Sequence, residues 1–141
     1  MRAFRSTTSF GRAALLGLGL ALGGTVIAAI AATPVAFEDG NAWSQLRGSL
    51  NPADYKQDYT VAGHAGKTLA LRLFSKNPNI YLKVTGPTGR KPLVDTIKTG
   101  ETTWSAPMPA DGDYTVEVYM LPEIAKATTG DQPYALQVGI Y

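Results

Sequence analysis

Apolar side chains recur at every second position through most of this chain, and a polypeptide with that period buries one face of a sheet. The alternation runs through Tyr59-Thr60-Val61-Ala62 and Leu69-Ala70-Leu71-Arg72-Leu73. It returns in Ile80, Leu82 and Val84, in Tyr114, Val116, Val118 and Met120, and in Tyr134, Leu136, Val138 and Ile140. Weaker candidates are Trp43 to Leu50, Leu93 to Lys98, and Thr102 to Ser105, the last with Trp104 as a core anchor. Glycine and proline punctuate the pattern. Gly63-His64-Ala65-Gly66-Lys67 has a length suited to a hairpin, Gly86-Pro87-Thr88-Gly89 closes another, and Ala110-Asp111-Gly112-Asp113 leads into the strand at Tyr114. Short strands about ten residues apart with such turns predict an all-β, antiparallel β-sandwich. Only Pro122 to Thr128 reads as helical, with proline suited to the first turn and Glu123 to its N-terminal end. It lies in a long excursion between two strong strands, from Pro122 to Pro133, and loops on a rigid sheet are where binding concentrates.

The first 31 residues predict an export signal, in helical form, ahead of the sandwich. Arg2, Arg5 and Arg12 precede an uncharged run from Ala13 to Ala32, and Ala29 and Ala31 fit a small-residue cleavage site that would start the mature chain near Ala32. The alternative is an uncleaved membrane anchor, since the run is long enough to span a bilayer. The organisation expected is therefore a signal at 1–31 and a single sandwich domain at 32–141, in the periplasm.

Export also changes the charge argument. The 141-residue chain carries +2, with 13 basic and 11 acidic side chains, but without the three arginines of the signal there remain 10 against 11, a net of −1. The basicity belongs to the address, so nucleic acid is not an expected partner. Composition removes most chemistry as well. The chain has no cysteine and one histidine, His64, which excludes disulfides, thiol nucleophiles, Cys-ligated zinc and paired-imidazole sites. Gly66-Lys67-Thr68 resembles the end of a phosphate loop, but Val61 stands where that loop needs glycine, and a strand follows. No G-x-S-x-G elbow is present. Asp95, Asp111, Asp113 and Asp131 could ligate calcium, but they suit turns better and lack the calcium-loop spacing. The expectation is a non-enzyme without metal or cofactor.

Tyr59, Tyr114 and Tyr134 share a face with valine and leucine and are expected in the core, whereas Tyr81, Tyr119 and Tyr141 point the other way. With these residues in place, the stretch from Asp58-Tyr59-Thr60 through Gly66-Lys67, Pro109-Ala110-Asp111-Gly112-Asp113-Tyr114, and Tyr134 to Ile140 resembles the periplasmic inhibitors of g-type lysozyme. The P-A-x-G-x-Y element is the most specific part of the likeness. The resemblance implies a small β-sandwich akin to the pre-peptidase C-terminal domains of secreted proteases, of jelly-roll type. It implies a protein that occludes a lysozyme cleft with loops and sets basic side chains against the acidic catalytic groups. Lys126 stands where the family has an arginine, Pro122 stands where it has another, and Tyr55 is near a family tyrosine. The partner-binding residues so implied are Lys126, Tyr55, Glu123 and Tyr119, with g-type lysozyme as partner. The alternative is a pre-peptidase-like envelope module that holds polysaccharide through exposed aromatics, should Tyr81, Tyr119 and Tyr141 form one patch.

Overall fold

The computed structural model describes residues 32–141, which form one compact unit; the expected signal at 1–31, and with it the question of cleavage or anchoring, lies outside the described residues. The strands are β1 (Thr33–Pro34), β2 (Trp43–Leu50), β3 (Lys56–Gly63), β4 (Thr68–Ser75), β5 (Tyr81–Thr85), β6 (Pro92–Asp95), β7 (Thr103–Pro107), β8 (Gly112–Tyr119) and β9 (Gln132–Ile140), with one helix, α1 (Pro122–Ala127), before β9. They make a five-stranded sheet in the order β1-β3-β8-β5-β6 and a four-stranded sheet in the order β2-β9-β4-β7. All pairings are antiparallel except that of β1 with β3. The expected sandwich is present; the weak strand candidates Trp43 to Leu50 and Thr102 to Ser105 lie on strands, whereas Leu93 to Lys98 is strand only as far as Asp95 and then turns.

The alternation predicted from sequence is the alternation observed. Val61, Leu82, Val84, Tyr114, Val116 and Val118 of the larger sheet face Leu69, Leu71, Leu136 and Val138 of the smaller in one buried core. Each such side chain contributes about 1.5–3 kcal/mol on burial, which is why a chain without disulfides can hold this fold. Trp104, expected as an anchor, is only half-buried, because β7 is an edge strand and the indole covers the rim of the core.

One expectation fails. Gly63 to Lys67 is not a hairpin, because β3 belongs to the five-stranded sheet and β4 to the four-stranded one. The segment is a corner between layers. The chain changes sheet at nearly every connection, and only β5 and β6 are consecutive strands paired to each other.

Tyrosines set the registration of the layers. Tyr59 and Tyr134, from opposite sheets, meet hydroxyl to hydroxyl at 2.6 Å inside the core. Burial, and then the bond to Tyr59, push the Tyr134 phenol above its usual range, so it stays neutral. Space for the ring comes from its cross-strand partner Gly48, where a Cβ would lie 2.5 Å from the Tyr134 hydroxyl. At the other end of the core, the fully buried Tyr114 donates to the Ala110 carbonyl at 2.7 Å and accepts from the Ala110 amide at 3.1 Å. Asp111 Oδ1 accepts from the Ala65 amide at 2.8 Å, and Gly112 takes the left-handed φ of +130° beside Pro87. The P-A-x-G-x-Y element is thus a latch that closes two corners of the sandwich.

The Tyr59 and Tyr134 hydroxyls are each other's partners. Tyr59→Phe or Tyr134→Phe alone should leave a buried hydroxyl unpaired and cost about 1–3 kcal/mol in urea unfolding. The double variant should be closer to wild type than the sum of the two losses; strict additivity would show that the bond contributes nothing.

Candidate protein-binding pole

The strand registers place three connections at one end of the sandwich: 51–55 between β2 and β3, 76–80 between β4 and β5, and 120–131 between β8 and β9. Hydrogen bonds tie them together. Asn51 donates to Asp131 at 3.2 Å and Asn77 donates to Gln132 at 3.1 Å, while the Met120 amide donates to the Tyr55 carbonyl at 2.9 Å. Asn51 also accepts from the amides of Ala53 and Asp54, which holds its own loop in a tight turn.

Helix α1 rides on this end. Pro122 opens it, Glu123 lies in the first turn and Lys126 in the last, and Thr128 Oγ1 donates to the Ile124 carbonyl at 2.8 Å. Ala125 and Met120 are both buried; these two pin the excursion to the core. Glu123, Lys126 and Ala127 are exposed. The excursion therefore stands out from the sheets, anchored on one side and open on the other.

The structure brings Tyr55, Glu123 and Lys126 to the same pole. Tyr55 is half-buried against the core, so it offers an edge rather than a whole ring. Lys126 forms no ion pair among the described residues, where both ion pairs go to Glu117. Asp131 is engaged with Asn51. Lys76, in the neighbouring 76–80 connection, is a second exposed cation at this pole, which sequence reading missed because no spacing in the chain links it to Lys126.

Tyr119 sits where the pole meets the outer face of the larger sheet. Its hydroxyl donates to Asp95 Oδ1 at 2.5 Å, and its ring lies 5.8 Å from that of Tyr81, with the Lys83 ammonium 5.5 Å from its centroid. Burial and the Asp95 bond push its phenol well above the usual range. Tyr141 belongs elsewhere: it packs 6.2 Å from Trp43, beyond the end of β9 in the four-stranded sheet. Tyr81, Tyr119 and Tyr141 therefore do not form one patch, and the glycan platform imagined from them is absent. Of the four aspartates weighed for calcium, Asp111, Asp95 and Asp131 are all engaged with protein donors, and no group of three potential ligands converges among the described residues.

Comparison with solved structures adds the decisive observation. A periplasmic inhibitor of g-type lysozyme from Aeromonas hydrophila superposes with a TM-score of 0.66 at 26% identity, covering 78% of this chain and 96% of that one. This chain has the fold of the g-type lysozyme inhibitors. The inhibitor from Salmonella Typhimurium matches with a TM-score of 0.61 at 18% identity, over 77% of this chain and 96% of its own. The pre-peptidase C-terminal domain of a Bacillus anthracis collagenase matches with a TM-score of 0.55 at 14% identity, over 79% and 95%; these two show the fold alone. No protein-family model and no curated protein matches the sequence.

Alongside the pole, the outer face of the five-stranded sheet is sealed by charge. Glu117 binds Lys83 at 3.1 Å and Lys56 at 3.3 Å. Asp58 lies directly across the ladder from Glu117, and its Oδ1 is buried without a hydrogen-bond partner. Desolvation first, and the neighbouring Glu117 second, raise the Asp58 carboxyl above its usual range; Lys56 and Lys83 offset this only in part. The folded state thus holds a proton on Asp58 at pH values where the unfolded chain has lost it. Stability falls as pH rises through that window, and the charge remains a penalty above it. Asp58→Asn should therefore be more stable than wild type near pH 7 in thermal melts, about equal to it once the pH is below the ordinary carboxyl value of 3.8, and a variant less stable at neutral pH would contradict the assignment.

Proposed function

We propose that this protein is an exported, periplasmic inhibitor of g-type lysozyme that acts by occlusion and performs no chemistry of its own. The reading rests on the likeness to the Aeromonas hydrophila inhibitor, which extends over nearly the whole of that chain. The geometry of the α1 pole supports it: a projecting segment on a rigid sandwich, with Lys126 held out on the last turn and unpaired among the described residues.

A lysozyme cleft carries carboxyl groups in a partly water-excluded setting. An ammonium delivered there gains a charge-assisted hydrogen bond, and a contact of that kind at the centre of an interface outweighs the surrounding area. Lys126 supplies the cation, Lys76 adds positive potential beside it, and the edge of Tyr55 packs against the cleft wall. Glu123, on the same helix, meets donors at the rim, where its charge sets orientation more than affinity. Tyr119, with its hydroxyl bound to Asp95, supports the pole from the side.

Residues 32–141 mixed with a g-type lysozyme should slow cell-wall lysis to a stoichiometric endpoint. Lys126→Ala should weaken inhibition by about 1–3 kcal/mol with no change in melting temperature. Lys126→Arg, which can bind a carboxylate through two parallel bonds, should retain or tighten it. Absence of inhibition at micromolar protein rejects the proposal.

A further inference from the structure

The outer face of the four-stranded sheet is built unlike the charged face of the other. Along β9 its floor is Gly139, Gln137, Ala135 and Pro133; β2 contributes Trp43, Gln45 and Arg47, and β4 contributes Ala70, Arg72 and Phe74. Trp43, Phe74 and Tyr141 are 37%, 50% and 57% exposed, and Trp43 and Tyr141 lie side by side, so that two of the three share one exposed aromatic patch.

Trp43 is held flat. A Cβ on Gly139, its cross-strand partner, would lie 2.7, 2.7 and 2.8 Å from Cδ2, Cε2 and Cε3 of the indole. Near-equal distances to three fused-ring atoms mean that the ring presents its face, not its edge, to the strand. Any side chain at 139 would lift it. Tyr141 flanks the ring at 6.2 Å with a 33° tilt, and the Arg72 guanidinium lies over it at 4.9 Å.

Shallow grooves open on both sides of this Trp43–Arg72 ridge. One, of about 500 Å³, is lined by Ala70, Thr103, Ser105, Glu101 and Tyr141. The other, of about 370 Å³, is lined by Ser44, Gln45 and Gln137. Gln137 donates to Gln45 at 3.1 Å, which orients both amides and leaves a donor on Gln45 and an acceptor on Gln137 for a ligand. A third groove, further along the same face, is lined by Arg47, Phe74, Pro133 and Ala135. Arg47 and Arg72 form no ion pair among the described residues, and Glu101 is the only acid lining any of these grooves.

We infer that this face binds a carboxylate-bearing polysaccharide, with Trp43 as a stacking platform and Arg72 and Arg47 as its carboxylate contacts. A pyranose ring has one largely apolar C–H face, which buries well on a flat indole, and a rim of hydroxyl or acetamido groups, which amides and hydroxyls of the grooves can pair. Guanidinium groups fit carboxylates through two parallel bonds, and Arg72, 4.9 Å from the indole centroid, is within reach of a carboxylate on a sugar packed against Trp43. An acidic peptide would use the two arginines but has no need of a flattened indole beside paired amides. Trp43 and Arg72 lie toward the end of the sandwich opposite α1, because β2 begins at Trp43 and runs toward the 51–55 connection, whereas the groove at Arg47 reaches Lys76 of the α1 pole. Binding at Trp43 and Arg72 is independent of the lysozyme reading.

Residues 32–141 carry the whole face, and calorimetric titration tests it. The probes are soluble, peptide-free cell-wall glycan strands with free lactyl carboxylates, neutral chito-oligosaccharides of similar length, and polyglutamate. The acidic glycan should bind about tenfold or more tightly than the neutral one, and Arg72→Gln should erase that difference. Trp43→Ala should weaken both glycans about tenfold or more. Neither variant should alter lysozyme inhibition, and Arg72→Gln, at an exposed position, should leave the melting temperature unchanged. No binding of the acidic glycan at millimolar concentration overturns the inference. So does polyglutamate binding equal to that of the glycan, which would make the face a site for acidic protein, or a folded Trp43→Ala variant with wild-type affinity.

Discussion

Burial between the two sheets is the constraint on which everything else in this molecule depends. Neither sheet can form from neighbouring strands, because the chain passes from one layer to the other at almost every connection and only β5 and β6 pair in sequence order. Each ladder is closed by strands brought from far along the chain, so the loop-closure entropy is met only when the valines and leucines of both layers are buried together. The Tyr59–Tyr134 hydroxyl pair is the polar counterpart of this arrangement. It bridges the layers at a point where an unpaired hydroxyl would be costly, and it registers one sheet on the other.

The same topology assigns a different task to each surface. Because the connections cross between layers, they collect at the two ends. One end, closed by the Tyr114 latch and the Asp111 bond to Ala65, is tightly organised around the turns. The other carries α1, whose buried Ala125 gives it a fixed seat while its charged positions face outward. The two sheet faces differ as well. On the larger sheet Lys56 and Lys83 are both paired with Glu117, whereas the smaller one keeps its arginines unpaired among the described residues beside exposed aromatics. A face whose cations are already paired has little to offer an anionic ligand. A face whose cations lack partners does.

Much of the fold was legible because a two-residue period is a local property. The inward positions of β3, β4, β5, β8 and β9 follow from alternation alone, and so do the burial of Tyr59, Tyr114 and Tyr134. The helix at Pro122 was legible from proline at its first turn. What misled was the turn chemistry at Gly63 to Lys67: glycines mark a reversal but do not say whether the next strand returns to the same sheet or crosses to the other. The P-A-x-G-x-Y element was the sharpest motif in the chain, and it specifies the latch, not the contact surface. That is why the likeness carried the fold further than it carried the binding residues.

The amino-acid sequence by itself determined which residues turn inward, where the chain bends, and that the net basic excess comes from three arginines in the first 31 residues, since periodicity, turn preference and composition need no knowledge of neighbours. Only the tertiary structure decided which exposed groups meet. Lys126, Lys76 and Tyr55 share a pole because three crossover connections end there. Tyr81 and Tyr119 lie on one sheet while Tyr141 joins Trp43 on the other, and Trp43 lies flat because Gly139 is its cross-strand partner. Surface sites are made from residues distant in the chain, and their juxtaposition is set by strand pairing that no local pattern encodes.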